Sequence, residues 1–229
     1  MKSLQVRKIY VWEVPVRIFH WVNAISITVL IVTGLLITYP PALLRNREAW
    51  NTFLMGYIRV THFIAAYFFV AAMLLRIYWA FAGNKYARLK VFFPFLYKKG
   101  LKGMWDVIVH DIFLFSRKEN KAQLGHNSLA ATMYLIMFFM ALIMLFTGFG
   151  LYAQNASWWL PRMFSWVSPL LGGDMHTRLV HHTVMWFFVL FIVVHIYLAI
   201  FHDVKDADGE VSSMIGGYKF VEEPVGKEE

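Results

Sequence analysis

The chain has 229 residues, 59% of them hydrophobic and 18% aromatic, which is far too apolar for a soluble domain of this length. It contains no cysteine, which excludes structural disulfides and Cys-ligated clusters within the chain. Its formal net charge of +8 is concentrated in segments flanking apolar runs, so it reads as a topology signal and no nucleic-acid partner is expected.

The N-terminal arm carries Lys2, Arg7, Lys8 and Arg17. A first spanning helix is predicted over about 17–38, with His20 near its start. It runs into Tyr39-Pro40-Pro41 without a small-residue cleavage site, so it reads as a span and not as a cleaved signal peptide. A second helix, about 56–82, holds Arg59, His62 and Arg76. The segment 83–126 carries nine basic residues, and within it Met104–Phe115 mixes apolar and charged residues and is too short to span. That stretch reads as an interfacial helix. Gly125-His126-Asn127-Ser128 opens a third helix, about 127–152, which contains Thr147-Gly148 near its end. The fourth, about 178–201, contains Arg178, His181, His182 and His195, and the polar tail 202–229 follows.

The remaining two connections are poor in basic residues, with Arg45 and Arg47 in one and Arg162 in the other. The positive-inside rule then puts both termini and the 83–126 segment in the cytoplasm. Tyr39, Trp50, Trp158, Trp159 and Trp166 fit an aromatic belt on the outer side. The expected fold is an all-α integral membrane protein. Residues 1–229 form a single membrane domain, a bundle of four transmembrane helices in the lipid bilayer.

His181 and His195 are 14 residues apart. At about 100° and about 1.5 Å per residue, they share one helix face and differ in depth by roughly 21 Å. Ionisable groups at such depths are usually functional, and neutral imidazole is a common axial ligand of haem iron. Topology supplies partners at matching depth: His20 with His195 on the cytoplasmic side, and His62 with His181 on the outer side. This predicts two stacked bis-histidine haems b. With no C-x-x-C-H sequence they are bound non-covalently.

Arg17, Arg59 and Arg178 each precede a candidate ligand by three residues, on its helix face, where a guanidinium can pair with a haem propionate. Arg76, 14 residues after His62, lies at the inner depth, and Gly34 and Gly148 near the outer one, where a missing side chain lets a flat macrocycle approach. His182 points about 100° away from the ligand face and is left out. Taken singly, a membrane histidine can bond a neighbouring helix, an arginine near a helix end can snorkel, and a glycine can serve packing. His110, His176 and His202 read as interfacial. His126 and Asn127, on the cytoplasmic side, form a candidate quinone site through hydrogen bonds to a quinone carbonyl; helix capping by Asn127 or Ser128 is the alternative.

Arg17-Ile18-Phe19-His20-Trp21-Val22, followed by Leu30-Ile31-Val32-Thr33-Gly34, resembles the first-helix signature of the b-type cytochrome subunits of membrane-bound nickel–iron hydrogenases. The fourth helix matches through Arg178, His181, His182, Trp186, Phe191 and His195. It departs at Leu179, where a small residue is usual, and at Thr183, where an aliphatic one is usual. Met55–Arg59, Arg76–Asn84, Gly125–Asn127 and Ser213–Tyr218 extend the resemblance over nearly the whole chain.

The resemblance implies an electron-transfer subunit, non-catalytic toward hydrogen itself, in a hydrogen:quinone oxidoreductase of the prokaryotic inner membrane. Its partners would be the hydrogenase small (iron–sulfur) and large (nickel–iron) subunits on the periplasmic side, and membrane quinone would be its substrate. Cytochrome b subunits of formate dehydrogenases share the four-helix plan and are the alternative. A haem-free membrane anchor is a third reading.

Overall fold

The structure, a computed structural model, describes residues 4–40, 53–96, 101–102, 105 and 128–224. His110, His126, Asn127, Trp50, Arg45 and Arg47 lie outside the described residues, as does most of the expected interfacial helix Met104–Phe115. Strand β1 is Leu4–Tyr10, and helices α1 (Val14–Thr38) and α2 (Leu54–Ala82) follow it. After two short 3-10 turns come α3 (Ser128–Ala153), the short α4 (Trp159–Arg162) and α5 (Val167–Leu170), and α6 (Asp174–Asp206). The chain closes with α7 (Glu210–Gly216) and β2 (Tyr218–Pro224).

Helices α1, α2, α3 and α6 are each long and apolar enough to cross a membrane. All four expected spans are present, and α6 differs most from its sequence limits. Its 33 residues rise about 50 Å, well beyond a hydrocarbon core about 30 Å thick, so polar turns extend from both ends. Asp174 in its first turn complements the helix dipole. The preceding Gly172 and Gly173 take left-handed φ values of 84° and 103°, which make the tight entry into the helix.

By contacts the chain divides into two compact units. The first, here the terminal unit, comprises residues 1–17, 78–143 and 190–229; the second, the connection unit, comprises 18–77 and 144–189.

In the terminal unit, β1 and β2 pair antiparallel from Leu4 opposite Pro224 to Tyr10 opposite Tyr218. This pairing joins the two ends of the described chain in one two-stranded sheet. The sequence reading had no strand here. Lys8 stands over the Tyr218 ring at 4.1 Å, and the Tyr10 and Tyr218 rings lie 5.0 Å apart. Beside the sheet, Val11, Trp12, Val16 and Ala87 form a buried core, flanked by Ile9, Trp79, Tyr86 and Met214. Gly217, at φ 86°, accepts from the Val11 and Trp12 amides; a Cβ there would come within 2.7 Å of the Trp12 carbonyl.

Polar groups lock the same region. Glu13 Oε2 accepts from Trp79 Nε1 at 2.9 Å and from the Asn84 amide at 2.8 Å. Asn84 Nδ2 donates to the Val11 carbonyl, and its Oδ1 accepts from the Tyr86 and Ala87 amides just past the end of α2. Lys219, 2% exposed, pairs with Asp208 at 3.2 Å and with Glu210.

Candidate functional site

Helix α1 brings Thr33 and Gly34 to His62 of α2, and α3 brings Thr147 and Gly148 to His181 of α6, all within the connection unit. Thr33 Oγ1 lies 2.8 Å from His62 Nδ1 and 2.6 Å from the Val29 carbonyl. A carbonyl only accepts, so with the hydroxyl proton on Val29 O, Thr33 Oγ1 accepts from His62 Nδ1–H, an N–H that the Leu30 carbonyl also faces. That assignment, made from the bonding pattern, fixes the neutral tautomer and leaves Nε2 with its lone pair free to coordinate.

The same pattern recurs on the other helix pair. Thr147 Oγ1 is 2.8 Å from His181 Nδ1 and donates to the Met144 carbonyl at 3.3 Å.

The glycines sit against the two imidazoles. A Cβ on Gly34 would stand 3.5 Å from His62 Cε1, and one on Gly148 only 3.2 Å from His181 Cε1. Absence of a side chain at each position lets an imidazole lie close to the neighbouring helix. His182 is engaged elsewhere: Thr38 Oγ1 donates to the Gly34 carbonyl at 3.0 Å and receives His182 Nε2–H at 2.7 Å. That bond engages the Nε2 of His182.

The other two candidate ligands fall in different units, His20 in the connection unit and His195 in the terminal unit. The His20 ring meets Trp21 edge-on at 5.2 Å, and Asn23, one turn further, is buried with no partner for Oδ1 among the described residues. His195 stacks on Phe191 at 5.4 Å with 10° between the planes. Arg17 Nη1 donates to the Ile215 carbonyl, while its Nε is buried with no partner among the described residues. Arg76 is 4% exposed on a spanning helix, 6.0 Å from the Phe19 ring centroid. Arg59 and Arg178 are exposed, each one turn before its histidine.

These donors fit a bis-imidazole haem. Two neutral imidazoles offer Nε2, and the glycines give the rings room. The sequence reading named the glycines but gave no role to Thr33 or Thr147. Their signal was the repeated Thr-Gly dipeptide on two helices.

Residues 11–217 match the family model described as prokaryotic cytochrome b561. A protein of Cupriavidus necator, named a probable Ni/Fe-hydrogenase B-type cytochrome subunit, is 42% identical over 219 residues, 93% of this chain and 88% of the relative. One of Azotobacter vinelandii with the same name is 40% identical, covering 94% of this chain and 91% of its own length. The probable Ni/Fe-hydrogenase 1 B-type cytochrome subunit of Escherichia coli K12 is 36% identical, covering 95% and 93%. The chain belongs to the prokaryotic cytochrome b561 family, and with its four apolar helices it is a multi-pass membrane protein.

Proposed function

We propose that this cytochrome b561 family member is the di-haem membrane subunit of a nickel–iron uptake hydrogenase. In this role it anchors the iron–sulfur and nickel–iron subunits on the periplasmic face of the cytoplasmic membrane and delivers their electrons to the membrane quinone pool. The observation that carries the reading is the matched pair His62 and His181, each with Nδ1 bonded to a threonine and Nε2 left for iron. The printed names of the relatives supply the hydrogenase partner.

When bound, two haems b supply one-electron carriers at two depths of the bilayer. His62 and His181 hold one, and His20 and His195 the other. Arg17 and Arg76 would offer guanidinium groups to haem propionates, a reading supported by the buried Arg17 Nε and by the burial of Arg76 on a spanning helix. Arg59 and Arg178 are exposed to do the same at the other haem. His126 and Asn127 orient quinone by hydrogen bonds to its carbonyl, on the cytoplasmic side.

The test is purification of the complex through this subunit. A b-type α-band at two haems per chain and a nickel-containing partner are the expected results. A chain with no α-band sinks the haem reading, and a partner without nickel sinks the hydrogenase assignment. Asn127→Asp and His126→Ala should keep both haems and slow quinone reduction; quinone turnover at the normal rate moves the site elsewhere. A periplasm-active reporter should be active when fused at 155–170 and silent at 95–120, and the reverse pattern inverts the topology.

A further inference from the structure

We propose that Thr33 and Thr147 are positioning residues that hold down the reduction potential of the haem carried by His62 and His181. The inference rests on the bis-histidine reading of that pair. Each threonine is the middle of a relay: His62 Nδ1–H donates to Thr33 Oγ1, whose own proton goes to Val29 O, and His181 Nδ1–H donates to Thr147 Oγ1, whose proton goes to Met144 O. Consecutive hydrogen bonds polarise one another, so a hydroxyl that donates to a carbonyl is a better acceptor for the imidazole. An imidazole whose far N–H is strongly accepted carries more negative charge on Nε2 and is the more basic ligand. A more basic ligand stabilises ferric iron over ferrous iron, and hydrogen bonding around the ligands is one of the protein's levers on haem potential. With both imidazoles treated alike, the two effects would act in the same direction.

Position matters as well as polarity. Thr33 and Thr147 are buried in spanning helices at 7% and 2% exposure, where water does not compete for the imidazole proton. Threonine is stiff at χ1, and its bond back to the preceding turn fixes the oxygen. Each is followed by the glycine that faces the same ring, Gly34 at His62 and Gly148 at His181. One dipeptide therefore sets both the proton acceptor and the space beside the ligand. A helix that only needed an apolar contact there would be served equally by valine.

The experiment is a spectroelectrochemical titration of the purified complex carrying Thr33→Val, Thr147→Val or both, with haem content measured alongside. One of the two midpoint potentials should rise in each single variant and rise further in the double, while the other potential stays in place. The ferric low-spin EPR signal of the same haem should shift with it. Thr33→Ser and Thr147→Ser keep the acceptor oxygen and should restore the wild-type potential. Unchanged potentials in valine variants that retain both haems overturn the inference, as do equal shifts at both haems. If valine expels the haem, the serine variants decide: a potential away from wild type overturns the proposal. A wild-type complex without b-type haem would instead fail the ligand assignment itself.

Discussion

In the connection unit most of the described buried polar side chains lie on the spanning helices, and three threonines face histidines: Thr33, Thr38 and Thr147. In the terminal unit the polar groups gather where the chain leaves the spans, around Glu13, Asn84 and Lys219, and beside a small core centred on Trp12. The two regions rest on different physics. Inside a bilayer, lipid tails are as apolar as the side chains they would replace, so helix association depends on close packing and hydrogen bonds. Outside it, burying Trp12 away from water is itself a driving force. The comparison teaches that imidazole orientation in the connection unit is set by single hydrogen bonds, while the terminal unit is held by a conventional buried core.

The sharpest way to break that division is to remove a ligand. His62→Ala or His181→Ala should eliminate one of two haems, halving the pyridine-haemochrome yield per chain, and His182→Ala should keep both. Equal loss from His182→Ala would overturn the assignment of its Nε2 to Thr38. Next, Trp12→Ala should cost about 3–5 kcal/mol in the terminal unit and lower the unfolding midpoint in detergent. The haem carried by His62 and His181 should keep its potential; a shift there would show that the two regions are not independent.

Asn84→Ala removes the acceptor of two amides and a donor to the Val11 carbonyl, and should cost about 2 kcal/mol by the same melt. The smallest effect separates two glycines that look equivalent in sequence. Gly148→Ala puts a methyl 3.2 Å from His181 Cε1, where the ring must yield, whereas Gly34→Ala makes an ordinary 3.5 Å contact with His62. The α-band should therefore shift or broaden in the former and stay near wild type in the latter. The opposite order would mean that the haem, and not the imidazole, is what these glycines accommodate.

The spans and the 14-residue histidine register were legible because both follow from the length and pitch of a helix, which sequence spacing encodes directly. The threonine acceptors were less so. A threonine in a helix ordinarily bonds its own preceding turn, and nothing local announces that its oxygen also receives a proton from another helix. Arg17 was legible as a cation beside His20, but not its bond to Ile215, nearly two hundred residues away in sequence. The sheet was hidden for the same reason. Leu4–Tyr10 and Tyr218–Pro224 are each only seven residues long, and among the described residues neither has a neighbouring strand in the sequence to pair with.

That sheet also has a meaning in time. Leu4–Tyr10 is the first described segment to leave the ribosome and Tyr218–Pro224 the last, so the earliest strand has no partner until translation has passed residue 218. During the insertion of four spans it remains an open edge, and basic Arg7 and Lys8 are the kind of residues that keep such an edge from pairing with strangers. Once the final helix is threaded, closing the ends costs only a slowly growing entropy despite the length of chain between them. The sheet can thus close only on chains in which the spans between its two strands have already been made.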